Sequence, residues 1–482
     1  MQHNKEGFLL IFRYCGNWRF PVLYAFLGIV AIGDSQYFCT RKTSNYNRMK
    51  TRQILLGLCT LAAVSLSAHP QDSTKTSIGK KVASRLQVGG YGEAVMTGNF
   101  FSDKYLRYTD AANYANSKGH GRFDLPHMVI WLGYDFGKGW SLGTEIEFEH
   151  GGTGSAVEIE AEEGGEYESD IERGGEVVLE QFWINKAWLG GKLNMKIGHI
   201  IVPVGATNMY HMPTEFFTNM RPEGERTILP CTWHETGVSL WGRIGDWRYE
   251  AMALPGLDSD RFNSQNWIGG GKGSPYEFKI ANNYAGALRV DNFSVPGLRL
   301  SLSGYVGNSF ENTLSSTDSE KYCGVKGTVA IGAFDFCYNA HNLIVRGNFD
   351  YGHLSDSELI TKYNMSMRKE SVSPKQSVAS DAIAWGAEAG YNFFGLSEKL
   401  TRNNQKLYAF GRYEYYDSMH KTEGSIQDTK WCARSRFSVG VNYKPLNDIV
   451  IKAEYGKSIL DKQYNDEPYL SVGVAYAGLF KR

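Results

Sequence analysis

The chain has 482 residues, of which 54 are glycine and 13% are aromatic, and its mean hydropathy is -0.36. Lysine plus arginine and aspartate plus glutamate number 51 each. Because binding to a nucleic-acid backbone usually requires an excess of basic residues, this balance excludes nucleic acid from the expected partners. Glycine and aromatic residues are spread along most of the chain, which favours one large repetitive architecture over several unlike domains.

The first predicted element is an export signal at residues 49–68. A short basic stretch is followed by an apolar run of about 13 residues, shorter than the roughly 20 that a membrane-spanning helix needs. Small residues up to Ala68 match what a signal peptidase reads, so we expect export through the Sec pathway and cleavage after Ala68. On this interpretation residues 1–48 are a misassigned N-terminal extension, 69–83 are a short periplasmic segment, and 84–482 form the folded domain.

From residue 84 onwards, apolar and polar side chains alternate, as they do in strands whose two faces meet different surroundings. In the segment 298–303, for example, leucines alternate with Arg299, Ser301 and Ser303. In chain order the predicted strands are 84–97, 121–136, 140–150, 176–189, 192–200, 233–243, 247–254, 282–292, 298–307, 322–334, 342–354, 382–394, 405–417, 431–444, 449–458 and 468–480.

The predicted connections alternate between short turns and long loops. The short turns include 137–139, 190–191, 245–246, 295–297 and 445–448. The long loops are 98–120, 151–175, 201–232, 255–281, 308–321, 355–381, 418–430 and 459–467. Bacterial outer-membrane barrels have short periplasmic turns, long extracellular loops and an even number of strands. We therefore predict an all-β fold, a transmembrane antiparallel β-barrel of about 16 strands in the outer membrane of a Gram-negative cell.

If one face of this barrel meets lipid, the polar face lines a lumen that carries charges of both signs. Unpaired charges in a dry interior would cost free energy, which favours a water-filled lumen. The alternative is a plugged structural barrel in which the charged side chains pair with one another. Loop 201–232 is too apolar and aromatic to be freely solvated, so we expect it to fold into the barrel; the alternative is packing against a neighbouring subunit. The candidate pore-lining residues are Arg221, Glu223, Glu225, Arg226, Arg289, Arg346, Arg412, Arg434, Arg436, Lys452, Glu145, Glu147, Asp350, Glu414 and Glu454.

Motifs for catalysis are missing from the sequence. It contains no H-E-x-x-H, G-x-S-x-G or Walker A pattern, so we predict neither an enzyme nor a cofactor. The acidic loop 151–175 is either a solvated surface or a cation bridge to lipopolysaccharide; it lacks the EF-hand pattern, and we predict no metal site. The glycine-rich run 269–273 is expected to be flexible surface. The pairing of the cysteines beyond the signal, which show no C-x-x-C spacing, is left open: Cys231, Cys323, Cys337 and Cys432.

Several short segments resemble the phosphate-selective porin O and P family. They are residues 197–205, 220–222, 233–237, 412–417 and 441–445, which read IGHIIVPVG, MRP, WHETG, RYEYYD and VNYKP. The resemblance implies an outer-membrane diffusion pore, usually of about sixteen strands and often trimeric, with a preference for anions in some members. In that family the preference depends on basic residues at the constriction, and loop 201–232 offers only Arg221 and Arg226.

Together these features predict a porin-like channel for passive diffusion of small hydrophilic solutes or ions, with anions such as phosphate among the candidates. The alternatives are an outer-membrane barrel enzyme and a structural or adhesive barrel without conductance. Expected partners are outer-membrane lipid and lipopolysaccharide, the barrel-assembly machinery that reads an aromatic C-terminal strand ending near Phe480, and further copies of the chain in a homotrimer. The overall composition resembles that of Bacteroidota proteins.

Overall fold

The predicted extension, export signal and periplasmic segment, residues 1–83, lie outside the part of the chain that the structure describes. The side chains of the acidic loop 151–175 also lie outside it. The computed structural model describes residues 85–150, 156–160, 170–174, 177–273, 279–310, 312, 320–367 and 373–481.

The described residues form nineteen strands, numbered in chain order. They are β1 Leu86–Asn99, β2 His120–Asp124, β3 His127–Gly137, β4 Trp140–Glu149, β5 Ala156–Glu160, β6 Asp170–Gly174, β7 Val177–Trp188, β8 Leu193–Ile201, β9 His234–Ile244, β10 Trp247–Pro255, β11 Tyr284–Asn292, β12 Leu298–Asn308, β13 Thr328–Ala340, β14 Leu343–Leu354, β15 Asp381–Asn392, β16 Lys406–Lys421, β17 Ala433–Leu446, β18 Ile449–Ile459 and β19 Glu467–Lys481.

Short helices lie in the connections. In the described parts of the chain, no helix is both long enough and apolar enough to cross a membrane. The α-helices are α1 Ala111–Tyr114, α2 Ala206–Met209, α3 Glu223–Ile228, α4 Ser357–Ser366 and α5 Glu398–Arg402. One-turn 3-10 helices occur at Tyr105–Tyr108, Leu189–Gly191, Ser259–Arg261, Gly269–Lys272, Glu320–Tyr322, Phe393–Leu396 and Lys430–Cys432.

Seventeen of the strands form one sheet that closes on itself, while β5 and β6 form a separate hairpin. The closing pair is β1 with β19, which are antiparallel from Gly89 opposite Leu479 to Asn99 opposite Tyr469. β2 and β3 pair with successive parts of β1, so the two count as one strand and the barrel has 16. The predicted all-β class and the antiparallel barrel of about 16 strands are confirmed.

One predicted strand, 121–136, is divided in the structure. β2 ends at Asp124 and β3 begins at His127, and Pro126 lies between them. Proline has no backbone N–H to donate to a neighbouring strand, so the ladder is interrupted there.

Another strand is wrongly placed by the sequence pattern. It is predicted at 322–334 after a loop at 308–321, whereas β13 covers Thr328–Ala340. Gly324 and Gly327 have φ angles of 85° and 55°, a left-handed conformation that belongs to a loop and not to a strand. In β13, apolar character also does not identify the outward face, because several apolar side chains of this strand are buried against the long loops.

The two faces of the barrel wall differ in chemistry. Leu288 and Leu302 point outwards and are 55% and 65% exposed. Their neighbours Arg289 and Ser301 point inwards and are 0% and 2% exposed. An apolar outer face with a polar inner face is the pattern of a barrel that sits in lipid and reserves its interior for polar groups.

The long loops pack together at one end of the barrel. Loops 256–283 and 355–380 lie against each other, and the Trp267 indole donates to the Ala379 carbonyl at 3.0 Å. In run 269–273, which is predicted to be flexible surface, Gly271 is buried so close to the Phe262 ring that no Cβ would fit, whereas Lys272 is exposed. Fully buried members of this loop core include Val202, Trp233, Leu257, Phe262, Trp267, Ile268, Phe310, Leu354 and Ile360, and all of these but Phe310 and Leu257 are 0% exposed.

The short turns lie at the opposite end. Between β13 and β14 the turn consists of His341 and Asn342, whose φ angles are 53° and 62°. Positive φ at both central residues is the requirement of a type I′ turn, whose twist matches that of the strands it joins. The connection between β15 and β16 is longer than predicted and contains α5.

A candidate pore divided by an inward loop

Loop 202–233, between β8 and β9, lies inside the barrel. Lys452 on β18 donates its ammonium hydrogens to three carbonyls of this loop, those of Pro213 at 2.6 Å, Phe216 at 3.0 Å and Thr218 at 2.7 Å. On the far wall, the Arg289 guanidinium donates to the Gly205 carbonyl at 2.9 Å. Contacts with strands as distant as β11 and β18 place the loop across the lumen, as the sequence predicts for 201–232.

The loop is tied at its two ends by one buried side chain. The Asn208 amide donates to the Val202 carbonyl at 2.8 Å, and its carbonyl oxygen accepts from the Trp233 backbone N–H at 2.5 Å. Glu225 accepts from the Thr207 N–H at 2.9 Å, which joins α3 to α2. These internal hydrogen bonds give the loop a fixed shape inside the barrel. The loop therefore narrows the lumen at one level, which is called the constriction below.

Predicted pore residues on β14, β16 and β17 form one row of ion pairs on the inner wall. Arg346 pairs with Glu388 at 2.5 Å, and Arg412 lies between Glu388 at 3.6 Å and Glu414 at 3.0 Å. Arg436, on the next strand, lies 4.0 Å from Glu414. The row therefore runs across the wall as alternating charges.

The row continues onto the loop and towards the long-loop end. Arg436 pairs with Glu223 of α3, and the Gly224 N–H donates to Glu414 at 3.1 Å. Arg434 pairs with Glu467 at 3.1 Å. The inward loop and the charged row are thus parts of one assembly.

A cavity of about 570 Å³, here named cavity A, lies on the short-turn side of the loop. Its position follows from Gly297 and Asn339, which line it next to short turns. Its charged lining residues are five basic and two acidic: Arg299, Arg346, Lys406, Arg412, Lys444, Glu215 and Glu388.

A second cavity of about 420 Å³, here named cavity B, lies on the long-loop side. Both Arg434 and Glu467 line it, together with residues of the loop between β1 and β2. Its lining arginines and carboxylates number six and five: Arg107, Arg122, Arg221, Arg226, Arg434, Arg436, Asp103, Asp124, Glu223, Glu454 and Glu467.

The remaining predicted residues lie elsewhere. Arg289 is fully buried between Asp291 at 2.8 Å and Asp335 at 2.9 Å, and Asp350 is also fully buried. Glu225 and Lys452 hold the inward loop, as described above. Glu145 and Glu147 belong to a separate part of the inner wall, on β4.

Sequence reasoning missed several basic residues of the cavities. Arg299 could have been found, because it alternates with outward leucines on β12. Lys406 and Lys444 stand directly opposite each other on β16 and β17, a pairing that depends on strand register. Arg107 comes from a long loop whose path the sequence does not specify. The wall supplies most of the basic groups near the constriction, and the loop itself adds Arg221 and Arg226.

Comparison with known proteins gives remote likenesses. No family model matches the chain. A protein of Aquifex aeolicus (strain VF5) described as uncharacterized is 26% identical over 398 residues, which cover 80% of this chain and 79% of that protein. The anion-selective porin from Comamonas acidovorans is 10% identical over 82% of this chain and 99% of that one, with a TM-score of 0.47. A loop L8 deletion mutant of OmpT, an outer-membrane protein of Vibrio cholerae, is 12% identical over 82% of this chain and 100% of that one, with a TM-score of 0.45.

Proposed function

We propose that this chain is an outer-membrane porin that lets small hydrophilic solutes diffuse passively and favours anions. The observation that carries the proposal is the excess of basic side chains in both cavities, five to two in cavity A and six to five in cavity B. A solute that crosses the barrel would meet net positive charge on either side of the inward loop. A charged cleft with low-dielectric walls raises the local concentration of ions of the opposite sign.

The outer surface supports a place in the membrane. Beyond the outward leucines, Trp140, Trp188 and Trp247 lie near the short-turn end and are 45%, 40% and 54% exposed. Amphipathic aromatic rings settle at the interface between lipid and water, where they form a girdle around a barrel. On this proposal the short-turn end faces the periplasm and the long-loop end faces the outside.

The arginines that line cavity A suit oxyanions. An arginine has five N–H donors in a planar fork, and its carboxylate partner here uses only some of them. Arg299, for example, lines cavity A and, among the described residues, donates to a carboxylate through Nη2, to Asp335 at 2.8 Å, which leaves other N–H groups for a solute. Phosphate or a carboxylate could accept from such donors as it passes, so a phosphate preference and membership of the phosphate-selective porin O and P family are part of this proposal.

The lysine pair in cavity A gives independent support. Lys406 and Lys444 stand directly opposite each other on neighbouring strands. Like charges in that position destabilise a sheet, so structure alone offers no reason to keep both. An anion path gives them a role, because each lysine raises the positive potential at the short-turn end.

The predicted partners belong to the same proposal. Assembly as a homotrimer, export through the Sec pathway and insertion by the barrel-assembly machinery would accompany an outer-membrane porin. Cross-linking of intact outer membranes, followed by electrophoresis, measures the number of copies per assembly. A trimer is the expected result.

The test is conductance in planar bilayers with the purified full chain. We expect stepwise conductance in KCl, and a fall in chloride current when phosphate is added and competes for the basic residues of the two cavities. The double variant Lys406→Gln with Lys444→Gln should conduct with a lower anion preference and weaker competition by phosphate. Arg402→Gln is the matched control, because Arg402 is exposed on α5 and its ion-pair partner among the described residues is Glu398 of the same helix.

Two results would contradict the proposal. A folded, heat-modifiable barrel without conductance would favour the structural or adhesive alternative or the barrel enzyme. A double variant with the selectivity of the wild type would remove the lysine pair from the ion path.

A further inference from the structure

A second group of charged side chains occupies the inner wall away from the row of ion pairs. It consists of carboxylates on β1, β4 and β7 that face the inward loop. Glu93, Glu147 and Glu180 are 7%, 4% and 0% exposed, and Glu145 lies beside Glu180. Buried carboxylates need a positive partner. His127 lies 2.6 Å from Glu147 and 4.0 Å from Glu93, whereas in the described part of the chain the basic nitrogen within 4 Å of Glu180 is that of His211.

An irregularity in the sheet brings Glu180 into this group. Glu145 pairs with Gln181, but the next residue, Ile146, pairs with Leu179, so Glu180 is an extra residue in β7. A β-bulge of this kind changes the direction of a side chain and often lies next to a functional site. As a result Glu180 and Gln181 both reach the inner wall instead of alternating.

The inward loop places His211 next to two of these carboxylates, Glu145 and Glu180. Its Nδ1 lies 3.0 Å from the Asn208 carbonyl, to which only a protonated nitrogen can donate. This bond leaves the Nε2 lone pair of a neutral imidazole free, and Nε2 lies 3.6 Å from the Glu180 Oε1. A ring nitrogen fixed by a backbone carbonyl on the other side is the usual arrangement of a metal-binding histidine.

The facing atoms of Glu180 and His211 are buried and unpaired. Neither Glu180 Oε1 nor His211 Nε2 has a hydrogen-bond partner among the described residues, although Glu180 is 0% and His211 6% exposed. Their separation of 3.6 Å is longer than a hydrogen bond. It is close to the distance of about 3.4 Å that separates nitrogen and oxygen ligands of one tetrahedral zinc ion.

The other oxygens of the two carboxylates are held in place. The Tyr91 hydroxyl donates to Glu180 Oε2 at 3.0 Å, and the Gln181 amide donates to Glu145 Oε2. Such bonds orient a carboxylate so that its second oxygen is presented to an ion. One ligand atom each from Glu145, Glu180 and His211 lies within 4.8 Å of the others.

We propose that Glu145, Glu180 and His211 form a binding site for a divalent transition-metal ion, with Zn²⁺ as the representative ion. Two carboxylates and a neutral imidazole balance the charge of such an ion, and this ligand set suits zinc and similar ions. Because His211 belongs to the inward loop and the two glutamates to the wall, a bound ion joins the loop to β4 and β7. This attachment is separate from the contacts of the loop with Arg289 on β11 and Lys452 on β18.

The experiment measures metal binding to the full chain without an affinity tag. The protein is purified in detergent, stripped with a chelator and titrated with Zn²⁺ alone, and Co²⁺ is added separately to record its visible spectrum. We expect one ion per chain and the absorption of a four- or five-coordinate cobalt ion. Saturating Zn²⁺ should also raise the temperature at which the folded band is lost in electrophoresis, since an ion that binds only the folded state stabilises it.

Conservative variants connect the binding to these side chains. Glu180→Gln and His211→Gln should each weaken Zn²⁺ binding at least tenfold, the usual range for loss of a ligand or of its support. His353→Gln and Glu398→Gln are matched controls, because both side chains are more than half exposed and should leave the affinity unchanged. The folded band in electrophoresis identifies variants that still form the barrel, and Glu145→Gln replaces either variant that does not.

Three outcomes would overturn the proposal. The first is the absence of stoichiometric binding by the stripped wild-type chain. The second is equal affinity in the wild type and in folded Glu180→Gln and His211→Gln proteins. The third is loss of binding only in His127→Gln, which would move the site to the neighbouring group of His127, Glu147 and Glu149.

Discussion

Replacement of Lys452 by methionine tests how the inward loop is held. The Lys452 ammonium is 2% exposed and satisfies three loop carbonyls. Methionine fills a similar volume but donates nothing, so these carbonyls lose their partner inside the barrel. A hydrogen bond to a charged group is worth about 1.5 kcal/mol or more, so the three together contribute at least about 4.5 kcal/mol to the position of the loop.

A loss of that size raises the population of a displaced loop about a thousandfold, since each 1.4 kcal/mol is a factor of about ten. The barrel itself should persist, because its strands are joined by their own backbone ladders. We therefore expect a Lys452→Met protein that keeps the folded band in electrophoresis but conducts with larger and noisier single-channel steps than the wild type.

The matched control is Lys457→Met. Lys457 lies on the same strand but near its end, where it pairs with Asp466 at 2.6 Å and both side chains are about one-third exposed. This variant should conduct as the wild type does. Wild-type step size and noise in a folded Lys452→Met channel would refute the conclusion that the loop narrows the pore and that Lys452 holds it.

Three further predictions concern other parts of the chain. Trp267→Ala should destabilise the loop core by about 3–5 kcal/mol, because it leaves a cavity among fully buried neighbours. Backbone hydrogen exchange should then become faster in loops 256–283 and 355–380 but not in the strands. An equal increase in both loops and strands would contradict a separate core. Burial raises the pKa of the Cys432 thiol to about 12. At pH 8 a maleimide should therefore modify the exposed Cys323 and leave Cys432 unmodified until the protein unfolds. Modification of Cys432 in the folded protein would contradict this prediction. Mass spectrometry of the mature protein should find an N-terminus directly after Ala68, and a mature chain that retains residues 1–48 would contradict the export-signal prediction.

Strand positions were predictable because alternation is a local property of the sequence. β12 is predicted at 298–307 and observed at Leu298–Asn308, since lipid on one side and the lumen on the other impose a period of two. The pattern fails in β13, where part of the apolar face meets the loop core and so no longer indicates lipid. A single proline was enough to divide the strand that contains β2 and β3.

The charged residues of the interior were predictable as a set, but their partners were not. Arg412 and Glu414 are two positions apart on β16 and could be placed on one face from sequence alone. Their roles depend on Glu388 and Arg436, which strand register brings alongside. Glu180 escaped prediction because a bulge reverses its direction, and His211 escaped because only the folded loop carries it to the wall.

The most direct test of the account is the zero-current potential of the wild-type channel in a KCl gradient. An excess of basic groups in both cavities predicts that chloride crosses more readily than potassium. The zero-current potential should therefore have the sign of the chloride equilibrium potential. A potential with the sign of the potassium equilibrium potential, or no current through a correctly folded barrel, would contradict an anion-favouring pore.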